Sequence, residues 1–384
     1  MHFPSSINSK LPSVSTTIFA VMTTLAKEHG AVNLSQGFPD FSPHPVLVEG
    51  VEKAMRNGNN QYAPMAGYMP LREKIAEKAQ HLYTAEVHPD TEITITAGGT
   101  QAIFTAILSV VRENDEVILF APAYDSYAPA VELAGGRAVY YDMLPPDFRI
   151  DWQGVKKLIN QRTRMIIINT PHNPSGTVLS AFDMQQLEKL TKDSDIVILS
   201  DEVYEHIIFD GLQHQSVLRY PKLAERAFVV NSFGKTYHNT GWKVGYCIAP
   251  KNLMAEFRKV HQFNVFSVNS VAQVAFDEAL KQKDLYLELN AFYQTKRDYF
   301  RQAIQSSRFK LLNCEGTYFQ LAGYSRISEE RDIEFVRRMT KDMGVAAIPV
   351  SVFYRHQVDN SIIRFCFAKE EETLKRAADL LIKI

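Results

Sequence analysis

At 384 residues, 46% of them hydrophobic, the chain is long for one compact core, and two domains are expected. Its 42 basic residues are offset by 43 acidic ones and no Lys/Arg-rich block is visible, which excludes nucleic acid as a partner. No uncharged apolar run approaches the roughly 20 residues needed to span a bilayer, and Met1 to Lys10 lack the apolar centre of a signal peptide; a soluble, cytoplasmic protein with no membrane partner is expected. In chain order, Thr17 to Glu28 reads as a helix, and the Pro- and aromatic-rich stretch running into Asp40 to Pro45 reads as an irregular loop of the kind that lines sites. Five apolar segments read as strands: Glu92 to Thr96, Glu116 to Phe120, Met165 to Ile168, Ile196 to Leu199 and Ala227 to Val230. Helical patterns at Gln101 to Val111 and Ala181 to Thr191 lie between them, so the order strand, helix, strand predicts an α/β fold with a parallel sheet. A long helix from about Asp284 should carry an apolar stripe through Leu289, Phe292, Tyr293, Tyr299, Phe300 and Ile304, suited to packing both domains. Strands near Phe309 to Leu312, Thr317 to Leu321 and Ile362 to Phe367, with helices at Asp332 to Met343 and from Glu370, complete an α+β cap. The large domain is placed at 45–284, the small one at 1–44 and 285–384. Cys247, Cys314 and Cys366 lie far apart with no CxxC pair, which fits reduced core thiols.

Each predicted strand is followed by a polar group. Gly98-Gly99-Thr100, Tyr124, Asn173, Asp201 with Tyr204, and Lys235 stand in turn beyond the five segments, where open α/β sheets bind ligands. Lys235, in Ser232-Phe233-Gly234-Lys235-Thr236, is read as a loop lysine among small and hydroxylated residues. An amine so placed can lose its charge and attack a carbonyl, which makes Lys235 a Schiff-base candidate; a solvated loop lysine is the alternative. A phosphate-binding P-loop fails, because Val229 stands where the first glycine must be. Asp201 is either a functional carboxylate or the cap of a following helix. Asn173-Pro174-Ser175-Gly176 is conformationally a turn, and Tyr124 and Tyr62 could be an ordinary core and loop tyrosine. Glu202 and His206 lack company for a metal site, so no metal is expected.

The segments Asn33-Leu34-Ser35-Gln36-Gly37-Phe38-Pro39-Asp40, Asn60-Gln61-Tyr62, Thr96-Ala97-Gly98-Gly99-Thr100, Asn169-Thr170-Pro171-His172-Asn173-Pro174-Ser175-Gly176, Ser200-Asp201-Glu202-Val203-Tyr204, Ser232 to Thr236 and Ile363-Arg364-Phe365-Cys366-Phe367 resemble, in order, those of the pyridoxal-phosphate-dependent aminotransferases of fold type I. The wording is similar to the branch of methionine and kynurenine aminotransferases (glutamine transaminase K). The resemblance implies a mixed, mainly parallel seven-stranded sheet flanked by helices and a homodimer with shared sites. It also implies pyridoxal 5'-phosphate on Lys235 and transamination between an amino acid and a 2-oxo acid.

The same resemblance assigns roles. Asp201 faces the pyridine nitrogen, Asn173 and Tyr204 the ring's phenolic oxygen, and Tyr124 the ring face. Gly98, Gly99, Thr100, Ser232 and Lys243 hold the phosphate, joined by Tyr62 from the second subunit. Arg364 clamps the substrate carboxylate and Gly37 permits closure over it. Lys235, Asp201 and Tyr204 form the catalytic set. Dicarboxylate-specific relatives bring an arginine near Phe263 to Asn269, and none is present here, which favours neutral donors. Phe19, Tyr62 and Phe266 are expected to form an aromatic wall that suits methionine or aromatic amino acids. Ser267 and Phe19 stand where kynurenine-branch relatives often have histidine and tryptophan, which tilts the choice away from kynurenine. A carbon–sulfur β-lyase sharing Lys235, Asp201 and Arg364 is the alternative; a non-catalytic cofactor-binding module is a second.

Overall fold

The computed structural model describes residues 6–384; Met1 to Ser5, the start of the expected 1–44 segment, lie outside the description. At its centre is a seven-stranded sheet in the order 93–96, 245–248, 227–232, 197–201, 163–169, 116–121, 137–142. Gly245–Ile248 runs against the other six strands, which share one direction and end at one edge. Strict alternation explains why these strands read as continuous apolar runs. Ile118, Ile166, Ile168, Ile198 and Val229 face one core, while Val117, Leu119, Met165, Ile167, Leu199 and Val230 face the other.

A third core belongs to the two chain ends. It unites Met22, Ala26 and Leu34 with Phe335, Met339, Ile363, Phe365 and Leu374, and takes in Tyr204, Ile207 and Phe209 from the segment after the strand Val197–Asp201. Its sheet runs 348–349, 362–366, 319–323, 310–311, and the segment Val32–Asn33 pairs with Val345–Ala346. The tie between the first residues and the last quarter of the chain is therefore made by backbone hydrogen bonds as well as by packing.

Local differences from the sequence reading have local causes. The expected long helix from Asp284 is two helices, Asp284–Leu287 and Leu289–Ala303, separated at Glu288. Leu289, Tyr293, Phe300 and Ile304 are buried as the stripe predicts, but Phe292 is exposed, with the Lys296 amine 5.1 Å from its ring centre. The helix expected from Gln101 starts three residues earlier and spans Gly98–Val110. All three cysteines are buried and unpaired. Among the described residues no helix is long and apolar enough to cross a membrane, and no cluster of potential metal ligands occurs.

Candidate active site

The shared strand edge opens into a cavity of about 260 Å³ whose walls include Gly37, Gly98, Thr100, Tyr124, Asn173, Asp201, Tyr204, Ser232, Lys235, Lys243 and Arg364. Thr96, Ala121, Asn169, Asp201 and Ser232 are the last residues of five co-directional strands, so the groups that follow them converge. The reversed strand adds Lys243, which lies two residues before its start at Gly245. Phe19 and Gln36 enter from the N-terminal segment, and Phe319 with Arg364 from the C-terminal sheet.

Lys235 sits not in a loop but on a single helical turn, Phe233–Thr236, directly after the strand Ala227–Ser232. Gly234 makes that turn possible, since a Cβ there would stand 2.8 Å from the Thr240 backbone. Burial, with the Arg364 and Lys243 cations adding to it, lowers the Lys235 amine from its ordinary value to about 8. Nζ donates to the Gly37 carbonyl at 3.2 Å and lies 3.0 Å from the Tyr318 hydroxyl.

Asp201 ends its strand, and no helix follows for it to cap. Its Oδ2 accepts from the Tyr127 hydroxyl at 2.5 Å and its Oδ1 from the Val203 N–H at 3.4 Å. Burial pushes this carboxyl up to about 6, against the pull of those donors and of Lys235. A buried carboxylate held only by neutral donors is matched to a cationic partner inside the cavity. Tyr204 is buried beside it, and burial raises its phenol well above the ordinary range. The neighbouring Glu205 anchors this segment from behind, accepting from Lys78 and Tyr83 in a buried cluster.

Arg364 lies inside the strand Ile362–Cys366 rather than beyond one, paired with Leu321 and Ile348 on its two sides. Its guanidinium stacks 3.8 Å from the Phe319 ring centre, donates to Asn173 Oδ1 at 2.7 Å, and leaves Nε without a partner. A fully buried guanidinium that lines a cavity and has no carboxylate partner among the described residues is matched to an anion. Gly37 brings the N-terminal segment close, since a Cβ there would meet Phe319 Cζ at 3.0 Å.

At the other end, the helix Gly98–Val110 begins with no side chain capping it, so its first backbone N–H groups are free for an anion. Gly98 has φ +81°, and a Cβ on it would stand 3.3 Å from the Lys243 amine. Only glycine permits both that backbone and that approach. Thr100 and Ser232 add hydroxyls, and the Tyr124 hydroxyl lies 3.5 Å from that of Thr100.

Two expected residues do not line the cavity of their own chain. Tyr62 is 80% exposed and packs edge-on against Phe266 at 5.2 Å between ring centres, and Phe266 is itself 45% exposed. Neither lines the site of its own chain, so of the expected aromatic wall only Phe19 is present. Conversely, Tyr318, Tyr127, Phe319 and Asn169 touch site residues and were missed. Tyr127 closes the segment Ala121 to Tyr127 that supplied Tyr124; Tyr318 fell within an apolar stretch read as a core strand, where its hydroxyl carried no signal.

A convergent amine, carboxylate, guanidinium and anion-binding helix start define a class, and the comparisons fix which. Residues 29–381 match the family Aminotransferase class I and II, and the chain belongs to it. It is 51% identical to methionine aminotransferase of Escherichia coli (strain K12), over 97% of each chain, and 35% identical to human kynurenine–oxoglutarate transaminase 1, over 94% of this chain and 93% of that one. Among solved structures, an Escherichia coli protein identified as having a methionine aminotransferase function superposes with a TM-score of 0.98 at 50% identity, covering 99% of this chain and all of that one. The N-succinyldiaminopimelate aminotransferase of Mycobacterium tuberculosis superposes at 0.95 with 35% identity, covering 98% of this chain and 100% of that one. The protein is an aminotransferase of fold type I, within the branch that the sequence motifs resemble.

Proposed function

We propose that this aminotransferase moves the amino group of methionine, or of another neutral amino acid, to a 2-oxo acid, with pyridoxal 5'-phosphate held in the cavity described above. The observation that carries the reading is one cavity shared by a lysine amine lowered to about 8, a buried carboxylate and a buried guanidinium. When bound, the cofactor supplies an aldehyde for amines and a ring that takes up electrons released at the substrate α-carbon.

The chain's own groups divide that work. The free N–H groups from Gly98 to Thr100, the Ser232 hydroxyl and the Lys243 cation would hold the phosphate. Asp201 would hold a protonated ring nitrogen, which suits a desolvated carboxylate lacking a cation. Tyr124 would cover the ring face. The amide nitrogen of Asn173, left free because its oxygen serves Arg364, and the Tyr204 hydroxyl would donate to the phenolic oxygen. Arg364 binds the substrate α-carboxylate through its unused donors. Lys235 takes the α-proton as general base and returns it as general acid, a role its lowered basicity suits near neutral pH. Phe19 and Phe38 give the substrate side chain an apolar boundary in keeping with a thioether.

We further read the protein as a cytoplasmic homodimer in which Tyr62 and Phe266, exposed in one chain, complete the partner's site. The two ends, 1–44 and 285–384, act as one domain against 45–284. Buried unpaired thiols support a reducing compartment. Borohydride reduction of holoprotein followed by peptide mapping tests the tether: a reduced cofactor adduct on Lys235 is expected, and its absence overturns the reading. Anaerobic titration with methionine should then convert the visible spectrum stoichiometrically; a spectrum unmoved by methionine but moved by another amino acid would reassign the donor.

A further inference from the structure

The Lys235 amine has two hydrogen-bond partners and donates to both. Nζ lies 3.0 Å from the Tyr318 hydroxyl and 3.2 Å from the Gly37 carbonyl, and the Tyr318 hydroxyl lies 2.7 Å from that same carbonyl. A phenol has one hydrogen to give, and a carbonyl can only accept. The Tyr318 hydrogen therefore goes to Gly37, leaving its oxygen lone pair for the lysine. Burial raises this phenol well above its ordinary value, so it stays protonated at any working pH.

An amine nitrogen is tetrahedral. One vertex is bonded to Cε, and the two acceptors, 2.7 Å from each other, lie together on one side of the nitrogen, so in the neutral amine the N–H groups turn toward them and the lone pair is left on the opposite side. Tyr318 is completely buried and lies behind the cavity wall, whereas Lys235 lines the cavity. With its N–H groups held from the wall side, the amine presents its lone pair to the bound substrate.

Resting on the reading of Lys235 as general base, we propose that Tyr318 is a positioning residue for this reaction: with the Gly37 carbonyl it docks the free amine of Lys235 and turns its lone pair toward the substrate α-carbon. In the proton-transfer step the Cα–H bond breaks, its electron pair stays on the carbon side, and a new N–H bond forms on that vertex. The resulting ammonium keeps its other two hydrogens on Tyr318 and Gly37, so the hydrogen facing the cavity is the one just taken, in place to be returned. Gly37 belongs to the N-terminal segment over the site, so a free amine also fastens that segment.

The test is Tyr318→Phe, which keeps the ring packed against Tyr204, Tyr293 and Phe319. Tyr293→Phe is the control, because that hydroxyl pairs with His238 Nδ1 at 3.0 Å and not with the amine. In apoprotein, competitive acetylation with peptide mapping across pH reads the Lys235 titration directly. Loss of an acceptor that favours the charged amine should lower the midpoint by about one pH unit in Tyr318→Phe and leave it unmoved in Tyr293→Phe. In holoenzyme, kcat with methionine should fall about 10- to 100-fold with KM little changed, a range typical for impaired proton transfer, and the isotope effect with α-deuterated methionine should rise. An unshifted titration midpoint together with an unchanged isotope effect overturns the role of Tyr318. If Lys235 nevertheless carries the reduced cofactor adduct in both proteins, the transaminase reading stands. Absence of the adduct from the wild type would remove that reading itself.

Discussion

Replacing Arg364 with methionine removes the guanidinium while keeping a side chain of similar length. Of the five N–H donors of an arginine, one reaches Asn173 at 2.7 Å and one the Ser35 carbonyl at 3.4 Å, so the remainder are available to a carboxylate. Hydrogen bonds to charged partners contribute about 1.5–3 kcal/mol each, and a two-pronged clamp therefore about 3–6 kcal/mol, or about 10²- to 10⁴-fold in kcat/KM. Part of the clamp is felt in KM and part in kcat, because the carboxylate also orients the Cα–H bond. The informative assay compares methionine with the matching amine that lacks the carboxylate, following the absorbance change of the half-reaction for each. Wild type should prefer methionine by the full factor; Arg364→Met should lose the preference and leave the slow reaction of the amine unchanged. Arg364→Lys should recover little, since a single ammonium cannot form the fork. A fold-intact Arg364→Met protein that keeps its preference within tenfold would refute the clamp.

Asp201→Asn should change the pH dependence of apoprotein stability. The folded carboxyl titrates near 6 against an ordinary 3.8, so the folded state binds more protons between those values and stability falls as pH rises through the window. Thermal unfolding from pH 3.5 to 7 should show a shallower fall in the asparagine variant, while its cofactor affinity drops. Gly98→Ala forces a side chain onto φ +81° and towards the Lys243 amine, so it should destabilise by about 1–2 kcal/mol in urea and weaken cofactor binding measured by fluorescence. Mixing Lys235→Ala and Tyr62→Ala chains, each inactive alone, should restore about a quarter of wild-type activity, because a hybrid dimer with sites shared across its two-fold axis holds one intact site. Mixtures that stay inactive despite confirmed hybrid dimers would place Tyr62 outside the partner's site.

The sheet and the residues on it were legible because doubly buried strands leave dense apolar runs and the chemistry stands at their ends. Asp201, Asn173 and Lys235 could be located to within a few residues of a strand end from pattern alone. Arg364 was harder: mid-strand, its position reads as a surface residue until the Phe319 ring and the Asn173 amide are seen to enclose it. Tyr318 and Tyr127 were illegible because each is a buried aromatic by pattern, and only their hydroxyl partners, 83 and 74 residues distant in sequence, reveal a second use. Tyr62 and Phe266 are exposed and stand outside the cavity of their own chain.

The lone backward strand of the large sheet, Gly245–Ile248, has a consequence for how the molecule could vary. Because it starts at the rim where its six companions finish, the backbone need only turn round after Lys235 to deliver Lys243 to the same rim. Had it followed their heading, its leading residue would have emerged on the far side, roughly 13 Å away at about 3.3 Å per residue. The spacing between these two cations is thereby tied to the link 233–244, with its two helical turns Phe233–Thr236 and Thr240–Trp242. Lengthening that link would pull them out of step, whereas insertions in the helical crossovers elsewhere would leave both in place.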